Sequence, residues 1–75
     1  MSTVSVAAAS SITGVVVEFD QAVGLGVIRT ADGELVPFHC IEIADGSRTI
    51  EVGVAVTAQR IPKLGRYEAA SIRPV

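Results

Sequence analysis

The only histidine and the only cysteine of this 75-residue chain are adjacent, His39 and Cys40. Such a pair could supply a thiolate nucleophile with its base, or two metal ligands. A closed zinc site takes four ligands, and the chain has no other His or Cys. Neighbours on a strand point to opposite faces, which would separate the two side chains. Cys40 is therefore expected as a small buried or half-buried apolar group. Glu18 and Asp20 lie two apart and would share a strand face, but no acid–base partner or cofactor motif accompanies them, so they read as a solvated acidic edge. Gly24-Leu25-Gly26 lacks the third glycine, the helix and the Lys-Ser/Thr of a phosphate loop. No enzyme and no cofactor is implied. What remains is charge: Arg60, Lys63 and Arg66 fall together late in the chain. They read either as a solvated loop or as phosphate contacts, which position a nucleic-acid backbone without reading its sequence.

Composition bounds these readings. A chain of this length makes one small domain, marginal unless rich in apolar groups, and 49% of its residues are hydrophobic. Most of these are valine, isoleucine and alanine, and valine and isoleucine favour strands. One cysteine excludes an internal disulfide. The net charge of -2 argues against strong non-specific attraction to nucleic acid. The charge is uneven, however. Residues 1–57 carry two cations against seven carboxylates, and residues 58–75 carry four cations against one. No apolar run approaches the roughly 20 residues of a membrane helix, and the first 11 residues lack the basic start of a secretion signal. The expectation is a cytoplasmic protein without membrane contact, with a flexible tail over residues 1–11 and one domain over 12–75.

The elements that would position these groups read as five strands. The clearest stretch is 23–40, where Asp32-Gly33 separates two apolar, β-rich runs, a strong hairpin signal. The spacing predicts strands at 12–20, 24–28, 35–39, 50–60 and 67–72. Turns are predicted at 20–22 and 31–34, a connection with room for one helical turn at 41–49, and a loop at 61–66. Gly24 and Gly26 leave a bare strip where another strand can come close. Leu25, Val27 and Arg29 would face the other way. Val36 and Phe38 would share one face of the third strand, and Pro37 and His39 the other. Pro37, which has no backbone donor, belongs at a sheet edge. Gly53 marks a bulge or an entry turn. Five short strands at regular spacing suggest an all-β fold, a small antiparallel barrel.

The order of motifs resembles the cold-shock domain family. Residues 14–20, Gly-Val-Val-Val-Glu-Phe-Asp, resemble that family's opening strand, Gly-x-Val-Lys-Trp-Phe-Asn. Residues 23–28, Val-Gly-Leu-Gly-Val-Ile, are similar to its first RNA-binding motif, Lys-Gly-Phe-Gly-Phe-Ile, and residues 36–40, Val-Pro-Phe-His-Cys, to its second, Val-Phe-Val-His-Phe. The ending Glu-Ala-Ala-Ser-Ile-Arg-Pro-Val is similar to Gln-Ala-Ala-Asn-Val-x-Pro. The resemblance covers about residues 12–75, with one residue fewer near Asp45. It implies a five-stranded antiparallel OB-type barrel that binds single-stranded RNA or DNA by stacking bases on exposed aromatic rings.

On that resemblance the aromatic platform is largely replaced. Val17 and Glu18 stand at the family's Lys and Trp. Val23, Leu25 and Val27 stand at the Lys and two Phe of the first motif, and Pro37 and Cys40 at exposed Phe positions of the second. Ser47 stands near a loop Phe. His39 matches outright, and Phe38 falls at a core position. Each stacked base is worth about 1–3 kcal/mol, so losing three or four contacts implies much weaker binding. Two functions are expected from this point. One is weakened single-stranded nucleic-acid binding, of RNA-chaperone type, through His39, Leu25, Val27, Pro37, Arg60, Lys63 and Arg66. The other is an interaction module whose apolar patch of Val17, Leu25, Val27 and Pro37 takes a protein partner or a second copy, since exposed apolar patches mark interfaces.

Overall fold

The computed structural model describes residues 10–75. It contains β1 (Ser10–Asp20), β2 (Leu25–Thr30), β3 (Leu35–His39), a single 3₁₀ turn (Cys40–Glu42), β4 (Ala55–Lys63) and β5 (Arg66–Pro74). All five strands belong to one antiparallel sheet in the order β3-β2-β1-β4-β5. The edge strands β3 and β5 approach each other without sharing a ladder. A single parallel bridge, Ile43 to Ile72, links that side, with the Ala44 N–H donating to the Ile72 carbonyl at 2.8 Å. The sheet is therefore curled but not closed by strand pairing. Of the expected tail, residues 1–9 lie outside the described residues, whereas Ser10 and Ser11 already pair with Arg60 and Gln59 in β1.

In the β2–β3 hairpin β3 has the expected bounds, whereas β2 runs over Leu25–Thr30 in place of 24–28. Gly33 takes φ of 93°, and its N–H bonds the Thr30 carbonyl at 3.0 Å. Thr30 and Asp32 tie the turn from the side. The Thr30 hydroxyl donates to the Asp32 carboxylate, and the Glu34 N–H donates to the Thr30 Oγ1 at 3.0 Å. β3 is an edge strand, which accommodates Pro37. β4 begins at Ala55 rather than 50, because Gly53 turns with φ of 98° and residues 53–54 bond Val16 instead (Gly53 N to Val16 O, 2.8 Å; Val16 N to Val54 O, 3.0 Å). The loop expected at 61–66 is a hairpin. β4 runs to Lys63, and Leu64 and Gly65, with φ of 48° and 87°, form a two-residue turn of the type whose twist suits paired strands.

The core comprises Val16, Ile28, Val36, Phe38, Ile43, Val56, Ala58, Ala69 and Ile72, with Ile12, Phe19, Cys40, Ile50 and Val54 packed around it. Gly26 sits opposite Phe38 in the β2–β3 register. A Cβ on Gly26 would lie within contact distance of the Phe38 ring and 2.9 Å from the Glu18 carbonyl oxygen. Phe19 stacks on Phe38, ring centroids 6.0 Å apart and planes 9° from parallel. A bulge at Val17 makes this possible. The register steps from Val16↔Ile28 to Glu18↔Val27, leaving Val17 unpaired. The extra residue reverses the in–out phase of β1, so that Val16 and Phe19 turn inward while Glu18 and Asp20 turn outward.

Two tests follow from this packing. Gly26→Ala should destabilise the fold by about 1–3 kcal/mol, the usual cost of overpacking, whereas Gly33→Ala, with open space around its Cβ, should lose only about 1 kcal/mol through its positive φ. Denaturant midpoints check the order, and equal losses would contradict it. The second test concerns Asp32, whose carboxyl is held below its ordinary value of 3.8 by the Thr30 hydroxyl first and the Glu34 N–H second. A depressed carboxylate pKa stabilises the turn above the ordinary value, and that contribution fades as pH falls through the folded value. Thr30→Val should return the Asp32 pKa toward 3.8 in a carboxyl NMR titration.

Candidate binding face

The pairings of β1, β2 and β3 lay the outward side chains in rows. Val15, Arg29 and Leu35 form one row, Glu18, Val27 and Pro37 the next, and Asp20, Leu25 and His39 the third. The Val17 bulge is the reason the β1 members step from 15 to 18 to 20. The second and third rows floor a groove of about 700 Å³, which Val23 completes at one end and Arg66 and Glu68 of β5 close at the side. Leu25 is 53% exposed and Val23 59%. The structure thus brings Leu25, Val27, Pro37, His39 and Arg66 together. Val17, expected in the same apolar patch, does not line the groove. It is half-buried at the bulge, because the added residue takes it out of the alternation.

The basic cluster divides. Arg60 lies half-buried and spans from β4 to the β2–β3 turn, where its Nη1 bonds Glu34 Oε1 at 2.5 Å. Its guanidinium carbon is 4.7 Å from the centroid of the Tyr67 ring, within cation–π range. Its Nε is shut away from solvent. Arg60 therefore staples two parts of the fold and does not face the groove. Arg66 donates to Glu68 Oε2 from Nη2 at 2.9 Å and from Nε at 3.2 Å, yet its side chain remains 66% exposed. Lys63 is exposed beside it at the end of β4 and pairs with no carboxylate among the described residues.

His39 is the exposed ring at the groove's corner. Its Nδ1 accepts the Ile41 N–H at 3.3 Å and so caps the 3₁₀ turn, which leaves Nε2 as the outward-facing atom. Cys40 Sγ comes within 3.8 Å of the same Nδ1. This departs from the separation expected of strand neighbours, because the chain leaves the strand at His39 and alternation stops there. The contact does not make a nucleophile–base pair, since Nδ1 already accepts a backbone proton. Cys40 instead packs, half-buried, against Gly24, where a Cβ would lie 2.7 Å from its sulfur. Gly24 takes φ of 74°, and its carbonyl accepts the Cys40 N–H at 2.7 Å. The two glycines thus serve close packing of β2 on β3. Among the described residues no group of His, Cys, Asp or Glu is placed to hold a metal ion, and no helix is long and apolar enough to cross a membrane. Compared with known proteins, the chain matches no family model and no curated relative.

The electrostatics follow from these placements. Glu18 and Asp20 stand on the β1 side of the groove, Arg66 with its partner Glu68 on the β5 side, and an apolar floor lies between. Two carboxylates therefore stand on the β1 rim of the groove, and Arg60, one of the three clustered cations Arg60, Lys63 and Arg66, is withdrawn into the fold. Sequence pattern alone did not reveal the division of roles between Arg60 and Lys63. Arg60→Ala should cost about 1 kcal/mol, the sum of a partly exposed ion pair and a cation–π contact, and Lys63→Ala should stay within about 0.5 kcal/mol, as surface substitutions do. Thermal or denaturant unfolding of the two variants reads this directly; equal stabilities would mean that Arg60 is not a staple.

Proposed function

We propose that the protein is a cold-shock-like, OB-type interaction module, whose groove on β1, β2 and β3 takes an apolar protein segment flanked by basic groups. The five-stranded topology supports the OB-type reading, with β1 paired to both β2 and β4 and one parallel bridge from Ile43, just past the 3₁₀ turn, to Ile72 of β5. Such barrels are often partly open. The observation that carries the ligand class is the pairing of an apolar floor with Glu18 and Asp20 on its rim. An exposed apolar patch of this kind marks an interface, and the carboxylates favour a cationic partner over a polyanion. Among the described residues His39 is the one exposed ring that lines the groove; Phe19 and Phe38 are engaged with each other.

A second reading, weakened single-stranded nucleic-acid binding, is favoured by one specific feature. Arg66 and His39 line the groove and are exposed, and the exposed Lys63 is the cross-strand neighbour of Arg66. Fluorescence anisotropy separates the two readings. A labelled Lys-Leu-Val-Leu-Arg peptide should give a saturable signal that Leu25→Asp removes, while oligo-dT and oligo-U should show nothing tighter than about 10⁻⁴ M, the weak non-specific range. Oligonucleotide binding tighter than that, falling with salt and lost in Lys63→Ala with Arg66→Ala, would overturn the peptide reading in favour of the second.

A further inference from the structure

The charges around the groove are arranged in a self-complementary way. Around the groove stand acid on β1 (Glu18, Asp20), the apolar floor on β2 and β3 (Leu25, Val27), and on the β5 side Arg66, ion-paired to Glu68, with Lys63 as its cross-strand neighbour at the β4–β5 turn. A two-fold axis through the floor would lay one copy's floor on the other's. The same rotation would set each acidic edge opposite the other copy's basic turn. An isologous dimer requires this kind of pattern, since one patch must match itself. The turn carries a second mark. Leu64 is fully exposed and holds φ of 48°, a conformation that a branched apolar residue adopts at a cost and that Asn or Gly would suit better. A solvent-facing leucine between two cations gains from being covered through the burial of its apolar side chain.

We infer that the partner of the groove is a second copy of this chain, packed about a two-fold axis with each copy's residues 63–66 against the other's Glu18 and Asp20. The inference rests on the interaction reading and names its partner. Association through this one groove and turn is expected to be weak and reversible. Salt reduces its charged component, whereas the contact between floors persists.

Sedimentation equilibrium of the full chain, from dilute to near-millimolar solution, tests it. The expected result is a mass that rises from monomer to dimer. Three variants should each weaken association at least about tenfold, as mismatched or like charges at an interface do: Leu25→Asp, Glu18→Lys with Asp20→Lys, and Lys63→Glu with Arg66→Glu. Each of the two charge variants alone should be monomeric, and their mixture should form a heterodimer about as tight as the native pair. Circular dichroism establishes that the variants are folded. In a mixed-isotope sample of the native chain, intermolecular NOEs from the Leu25 and Val27 methyl groups provide a readout that needs no variant. A native chain that stays monomeric, a dimer indifferent to all three substitutions, or folded charge variants that do not combine would each overturn the inference. Peptide binding by that monomeric chain, lost in Leu25→Asp, would leave the interaction reading standing; no peptide binding would remove both.

Discussion

The constraint on which the structure depends is the seat of Phe38 on Gly26. Phe38 is 1% exposed, and its ring occupies the space that any side chain at position 26 would need. Deleting a buried phenylalanine costs about 3–5 kcal/mol, a large part of the total stability of about 5–15 kcal/mol that small domains possess. The ring also receives Phe19 from β1. Phe19 can reach it only because the bulge at Val17 inserts one residue and reverses the phase of the strand. The same insertion turns Glu18 and Asp20 outward. The acidic rim of the groove is thus a geometric consequence of how the two phenylalanines pack.

This coupling ties the interior to the surface. The β-branched and glycine frame holds two strands close, and the outer rows that result are small, apolar and acid-edged. Arg60, which the sequence groups with Lys63 and Arg66, serves the frame through Glu34 and Tyr67. The cations that still face solvent near the groove are Lys63 and Arg66, and Arg66 shares its charge with Glu68. A surface built in this way offers burial of apolar area and local charge matching. Its groove carries one exposed ring among the described residues, His39, where single-stranded nucleic-acid binders stack successive bases on several.

Much of the fold was legible in the residues. β3 falls at Leu35–His39 as read, because Asp-Gly turn chemistry and strict alternation agree there. The burial of Val36 and Phe38, the edge place of Pro37 and the close approach at Gly24 and Gly26 follow from the same pattern. Other features had no local signature. Three valines in a row conceal which one is the extra residue, and the family resemblance, which sets Val17 on the exposed patch, does not show the bulge that takes it out of the alternation. Val52 and Val54 alternate as a strand would, yet Gly53 turns and the segment bonds Val16. Pro62 and Gly65 read as loop breakers. Pro62 is nonetheless accommodated in β4 because the described pairing with β1 ends at Ser10, opposite Arg60, and Pro is tolerated where only one neighbour needs bonding. The partner of Arg60 is 26 residues away, a separation at which sequence pattern carries no information.

The central claim is that the outward rows of β1, β2 and β3 meet protein and not nucleic acid. Amide NMR of the ¹⁵N-labelled chain tests it most directly, comparing shifts on adding the basic–apolar peptide with shifts on adding oligo-dT. The expected result is that the peptide moves Glu18, Asp20, Leu25, Val27 and His39 together, while the oligonucleotide leaves them in place. The contradicting result is the reverse: these amides follow the oligonucleotide, or the peptide perturbs residues away from the groove.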